Sequence, residues 1–408
     1  MNNPQKTLIV PMIIMAGMFS ILGFAVGIDA FFIPFVKKAF NISNTMSYLV
    51  FIATYASFVI FSVPAGLLMK RIGYRGGIVV AFVFLALSFF MIGMASNFFN
   101  YLLFLGALFV NGIGRVVLNA AVNPYVTILG PRESAARRIC MMGISNKVSY
   151  AAASLILALF LNLADVRMED TVLPFYLISA IVLVMGIVSR FAPLPELKAE
   201  GEEDKNTGRE QLSASIIASN QKTSMFQFPH LMWGLLAYFF YTGVEVTALG
   251  SINHYASVLG LNNPQNYVWF TSGAMVLGYI LGVMMIPKII SQKTALQFSA
   301  VAGFAFCILI VTTPVQASIY FLALLGLANA LILPAIWPLS LADLGKFTKP
   351  AAGLLVTGGL GGGVIPLLYG LTVDLTHSSQ LSYLVCLPSY IVIMYFATKG
   401  YKLRSSKS

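Results

Sequence analysis

Twelve apolar stretches, each long enough to cross a hydrocarbon layer, constrain this chain more than any motif in it. They can be drawn at about 8–36, 45–69, 77–95, 101–130, 139–163, 172–192, 228–258, 266–288, 295–313, 317–341, 349–373 and 379–399. Backbone amides find no water inside lipid, so each stretch has to satisfy its own hydrogen bonds as a helix. A chain 58% hydrophobic and 10% charged cannot hide that much apolar surface in a soluble core. The expected fold is therefore an all-α membrane protein of twelve transmembrane helices in two six-helix bundles. One bundle spans 1–192 and the other 227–408, with a polar cytoplasmic linker over 193–226. The first stretch is too long for a signal-peptide core, carries Asp29 and Pro34 near its far end and is followed by no small-residue cleavage site, so it is read as a span.

The net charge of +11 could suggest nucleic acid, but the basic residues are scattered over short loops and form no arm or patch, and no nucleic acid is expected. Topology accounts for them. With a cytoplasmic N-terminus, Lys70, Arg71, Arg75, Arg132, Arg137, Arg138 and most of the others fall inside, against Lys37, Lys38 and Arg167 outside. That asymmetry places both termini in the cytoplasm of a multi-pass protein of the cell's inner membrane, with the lipid bilayer as its permanent partner. It is expected to work as a monomer.

Two cations, Arg115 and Lys147, lie within spans. Arg115 belongs to a series at four-residue spacing, Asn111, Arg115, Asn119 and Asn123, which a helix stacks into one polar stripe with a drift of roughly 40° per step. Three amides and a guanidinium facing lipid would cost several kcal/mol, so the stripe faces a polar cavity. Arg115 is about fourteen residues from either end of its span, roughly 20 Å and too deep to snorkel, so a charge must balance it. Lys147, about 12 Å from the inner end of its span, can snorkel in part. Asp29 and Glu245 are the acids within spans that could pair or titrate, and both are candidate proton carriers.

The two halves repeat in outline. Gly27-Ile-Asp29 has a counterpart in Gly243-Val-Glu245, and Asn119 to Pro124 has the spacing of Asn329 to Pro334, whereas Leu325 stands where Arg115 would recur. Parallel repeats place a shared cavity between the bundles near the midplane. Candidate substrate-binding residues are Arg115, Asn119, Asn123, Asn146, Lys147, Tyr150, Tyr241 and Asn329, with Phe240 a further ring on which a sugar could stack. Selectivity is expected mainly from the first half. Trp233, Trp269 and Trp337 fall near span ends and read as interfacial belt residues. Gly353 to Gly363 before Pro366 reads as close helix packing or a gating bend. His230 and His377 read as bland loop neighbours, while His254 is a candidate for the outer vestibule. Cys140, Cys307 and Cys386 lack metal-ligand spacing and read as small apolar fillers.

Several motifs then resemble one family. Gly66-Leu-Leu-Met-Lys70-Arg71-Ile-Gly73-Tyr-Arg75 resembles the basic loop between helices 2 and 3 of the major facilitator superfamily, with Lys70 where that motif has an acid. Asn123-Pro-Tyr-Val-Thr-Ile-Leu-Gly-Pro131, the Arg loop after it and Asn146 resemble the fucose:proton symporter family of that superfamily. So do Tyr241-Thr-Gly-Val-Glu245-Val, Leu344-Gly-Lys-Phe-Thr-Lys349 and, more loosely, Asp29 with Ile33-Pro34. The resemblance implies the major facilitator fold and proton-coupled sugar uptake by alternating access. It also assigns sugar binding and proton coupling to a Glu at the position of Asn119, which cannot ionise, and the family has a helix 5 amide at the position of Gly143, which is missing here. Fucose is for that reason not the expected substrate.

Two transport readings stay open. In one, a neutral monosaccharide or sugar derivative enters with protons through Asp29 and Glu245, Arg115 being paired to Asp29 or Glu245. In the other, a sugar acid or small organic anion is held by Arg115 and Lys147. Uniport is a variant of the first. No nucleotide loop, metal cluster or nucleophile beside a base argues for an enzyme, and neither cofactor nor metal is expected. A sensor would need a soluble relay domain, and drug efflux would favour a less polar cavity.

Overall fold

The computed structural model describes residues 9–40, 42–160, 167–195 and 222–405. These residues form helices long and apolar enough to span a membrane at twelve places, named here α1 to α12. The first six are α1 Ile9–Asp29, α2 Asn44–Met69, α3 Arg71–Asn97, α4 Tyr101–Ile128, α5 Ala135–Leu157 and α6 Glu169–Ser189. The second six are α7 Pro229–Val258, α8 Pro264–Met285, α9 Gln292–Thr312, α10 Val315–Leu341, α11 Gly345–Thr376 and α12 Leu381–Thr398. No strand occurs among the described residues. Most of the linker, residues 196–221, lies outside them.

Twelve crossings among the described residues put the start of α1 and the end of α12 at one face, called here the terminal face. Some boundaries have a plain local cause. Asn100 caps α4 through its side chain on the Leu103 N–H, and Ser291 caps α9 on the Thr294 N–H. Between α2 and α3 the turn is made at Gly73, whose φ of 71° favours a residue without Cβ. α1 does not stop at Asp29, since its helix runs on to Phe40 through Pro34.

The second half is more broken than its apolar pattern suggests. α10 consists of two helices, Val315–Asn329 and Ile332–Leu341, and a 3₁₀ turn at Gly358–Leu360 interrupts α11 before Gly361–Thr376. The glycines there are spacers. A Cβ on Gly359 would sit 2.3 Å from the Phe58 ring and one on Gly362 2.8 Å from the Tyr55 ring.

The halves meet along α2 with α11 and along α5 with α8. At the terminal face Gly66 of α2 lies against Gly353 of α11, where an added Cβ on Gly353 would come within 2.8 Å of the Ser62 carbonyl oxygen. At the opposite face Asp374 of α11 reaches the start of α2. It accepts from Asn44 Nδ2 at 2.8 Å and from the Thr45 backbone N–H at 2.9 Å, with a further contact from the Thr45 hydroxyl. Below this, Tyr48 and Tyr369 pack edge to face at 5.9 Å.

Trp337 departs from its expected place. It is fully buried beside Tyr238, ring centroids 5.5 Å apart, because α10 turns that side inward after its break. His230, in the first turn of α7 beside the loop, is likewise buried, its Nε2 3.0 Å from the Ala342 carbonyl oxygen. The three cysteines are buried and free.

Candidate functional site

A cavity of about 100 Å³ lies between the halves. Pockets that bury drug-sized ligands hold roughly 300–1,000 Å³, so a small solute is what this one suits. From the first half its wall takes Arg115, Asn119 and Asn123 of α4, Asn146, Lys147 and Tyr150 of α5, and Tyr55 and Phe58 of α2. From the second half it takes Tyr238, Thr242 and Glu245 of α7 and Tyr279 of α8. The amides and both cations thus belong to the first half.

The helices deliver these side chains by close approach. A Cβ on Gly23 of α1 would lie 1.9 Å from the Asn146 carbonyl oxygen, so α1 and α5 cross with backbones nearly touching. Asn146 donates to the Phe19 carbonyl oxygen at 3.0 Å across that crossing. Along α4 the stripe is chained: Asn119 Nδ2 donates to the Arg115 carbonyl oxygen at 2.9 Å, and Asn123 Nδ2 to Asn119 Oδ1 at 2.9 Å. Asn111 is set apart, donating to Ser88 Oγ at 2.9 Å between α4 and α3.

Two ion pairs balance the charges. Arg115 Nη1 donates to Asp29 Oδ2 at 2.6 Å and Nη2 to the Tyr55 hydroxyl at 2.9 Å, with the guanidinium 4.9 Å from the Tyr55 ring centroid. Thr54 Oγ1 donates to Asp29 Oδ2 at 3.4 Å. Lys147 Nζ lies 2.5 Å from Glu245 Oε1, joining α5 to α7 across the seam between the halves. Its ammonium is also 5.7 Å from the Tyr150 ring centroid.

The site residues expected from sequence therefore separate. Arg115, Asn119, Asn123, Asn146, Lys147, Tyr150 and Glu245 converge on the cavity wall. Asp29 stands behind Arg115, 1% exposed. Asn329 and Tyr241 are fully buried and off the wall; Asn329 accepts from the Tyr390 hydroxyl at 2.7 Å within its own bundle. The sequence-level repeat of Asn119 by Asn329 is thus not a repeat in the site. Phe240 and His254 are half-buried and also off the wall.

Sequence reasoning missed Tyr55, Phe58, Tyr238 and Tyr279. In a chain with 13% aromatic residues a ring in a span carries no signal of its own. Gly143 held a clue, since a Cβ there would lie 2.6 Å from the Tyr279 ring, so its missing side chain is the space that Tyr279 fills. Groups of His, Cys, Asp or Glu able to hold a metal ion are absent among the described residues.

Twelve spanning helices in two bundles about a polar cavity, with a buried ion pair across the seam, make this a membrane transport protein of the alternating-access kind. The chain belongs to the Major Facilitator Superfamily, which matches residues 13–367. It is 28% identical over 397 residues to a glucose/galactose transporter of Brucella abortus biovar 1 (strain 9-941), covering 94% of this chain and 92% of that one. It is 24% identical over 419 residues to the L-fucose-proton symporter of Escherichia coli (strain K12), covering 96% and 93%. The crystal structure of the transporter FucP in the outward conformation superposes with a TM-score of 0.76 at 24% identity, over 98% of this chain and 100% of that one.

Proposed function

We propose that this protein takes up a neutral monosaccharide of the hexose class together with protons, by alternating access across the cell's inner membrane with both termini in the cytoplasm. One observation carries the choice of a neutral solute. Each cavity cation already faces a carboxylate, Arg115 with Asp29 and Lys147 with Glu245, so no charge is left for an anion to neutralise. Apart from these pairs the wall is amide, hydroxyl, aromatic and aliphatic. Asn119, Asn123 and Asn146 suit a ring of hydroxyls, and Tyr150 or Tyr238 suits the apolar face of a pyranose.

Glucose and galactose name some relatives and L-fucose others. Asn119, at the position of a Glu in the fucose symporter family, favours the first two. The intramembrane carboxylates supply the proton site that symport requires, and the excess of basic residues on loops at the terminal face supports the orientation. A thermal-shift titration of the purified protein with D-glucose, D-galactose, L-fucose and galacturonate tests the reading, because a ligand stabilises the state it fits. Glucose or galactose raises the melting temperature and galacturonate does not. Stabilisation by galacturonate alone would transfer the assignment to sugar acids, with Arg115 and Lys147 as counter-charges.

A further inference from the structure

We infer that Arg138 is a positioning residue of the cavity: its guanidinium ties the end of α4 to the start of α5 and so fixes Asn119 and Asn123 against Asn146 and Lys147. The inference rests on reading that wall as the place where the solute binds.

α4 is weakest where it carries the site. Pro124 lies inside the helix. It gives no N–H to the Ala120 carbonyl, and it disfavours helical backbone at the residue before it, which is Asn123. The turn beyond Pro124 also ends short of donors. A helix leaves its last four carbonyls without intrahelical partners. Here the residue four past Thr127 is Pro131, which has no N–H to offer. The motif Asn123-Pro-Tyr-Val-Thr-Ile-Leu-Gly-Pro131 therefore builds a helix end that needs donors from elsewhere.

Arg138 supplies them. Its Nε donates to the Val126 carbonyl oxygen at 2.9 Å, and its Nη2 to those of Thr127 at 2.6 Å and Gly130 at 3.2 Å. Its Nη1 donates to the Pro131 carbonyl oxygen at 2.9 Å and to Ser134 Oγ at 2.7 Å. The residue is 3% exposed. A planar fork of N–H groups reaches acceptors in directions that a single ammonium cannot, and its positive charge suits the negative end of the α4 dipole. The same residue stands on α5, eight residues or about 12 Å before Asn146. Asn146 is fixed in turn by its bond to the Phe19 carbonyl oxygen. One buried cation thus gives both amide-bearing helices a common reference. These partners all belong to the first half, so the brace travels with that half as it rocks and takes no part in the change of state. Loosening it weakens solute binding and spares the rate at which the loaded carrier turns over.

Arg138→Lys keeps the charge and gathers the donors on one nitrogen. In proteoliposomes that variant raises the KM of D-glucose or D-galactose exchange about ten-fold, with the maximal rate within about two-fold of wild type. Ser134→Ala, which removes one acceptor, raises KM less. Ser88→Ala takes the acceptor from Asn111 in the same half but away from the wall, and leaves KM unchanged. A KM that Arg138→Lys does not move overturns the inference. So does a KM that Ser88→Ala raises equally, since Arg138 would then be one structural contact among others. Should Arg138→Lys not fold, Ser134→Ala carries the test, and an unmoved KM in it overturns the inference. Hydrogen exchange of the sugar-free protein reads the brace without any solute. In Arg138→Lys or Ser134→Ala the amides of 125–130 exchange several-fold faster than in wild type, and those of the second half do not change. Equal exchange at 125–130 overturns the inference. A wild type that carries neither sugar defeats the hexose reading alone, and hydrogen exchange then decides the inference by itself.

Discussion

Arg115 and Asp29 share a hydrogen bond of 2.6 Å between α4 and α1, both side chains at most 2% exposed. Removing one member of such a pair strands the other in a medium that cannot solvate it, at a cost of about 3–5 kcal/mol. Arg115→Gln and Asp29→Asn each lower the stability of the empty protein by that order. The double variant recovers most of the loss, since two neutral polar groups remain. Chemical denaturation of the three variants in detergent checks this, and a double variant no more stable than the singles would show that the pair does not hold α1 to α4.

Gly143 and Tyr279 exchange space across the seam, with an added Cβ 2.6 Å from the ring. Gly143→Ala drives the ring into the cavity. Overpacking of this kind costs about 1–3 kcal/mol, and it appears as weaker hexose binding in titration calorimetry. Pairing Gly143→Ala with Tyr279→Leu restores part of the affinity. Undiminished binding in Gly143→Ala alone would mean that the sugar does not approach this wall.

Asp374 fastens α11 to the first turn of α2 by three contacts at the face opposite the termini. Hydrogen bonds to a charged group contribute roughly 1.5–3 kcal/mol each before solvent exposure reduces them, and Asp374 is only half-buried. In Asp374→Ala that face opens more often. A cysteine at Val26, on the cavity wall, then reacts several-fold faster with an impermeant maleimide in intact cells. An unchanged rate would leave the closure to the Tyr48 and Tyr369 rings.

Single cysteines at Asn97 and at Lys288, both exposed, report the orientation. In whole cells the first reacts with an impermeant reagent and the second does so only after permeabilisation. The opposite pattern would put the termini outside.

The twelve helices and their grouping were legible in the sequence, because lipid solvates neither backbone amides nor charges and so forces the constraint into each span separately. Of the stripe Asn111, Arg115, Asn119 and Asn123, the last three reach the cavity wall as the four-residue spacing in an apolar span predicts, whereas Asn111 turns to Ser88 of α3. Local pattern did not reach the partners. Whether Arg115 met Asp29, Glu245 or a ligand depended on which helices cross at which depth, and the answer came with Gly23 bringing α1 against α5 and with Lys147 facing Glu245 across the seam. Asn329 shows the converse. Its sequence spacing matches that of Asn119, but its face of α10 meets Tyr390 of α12 and not the cavity. Tyr55 and Tyr279 became wall residues only by packing, for a tyrosine in a span satisfies lipid, core or ligand equally well until its neighbours are in place. The sequence alone determined which groups had to avoid lipid; tertiary structure decided which of them met, because pairing depends on distances between helices that no single span encodes.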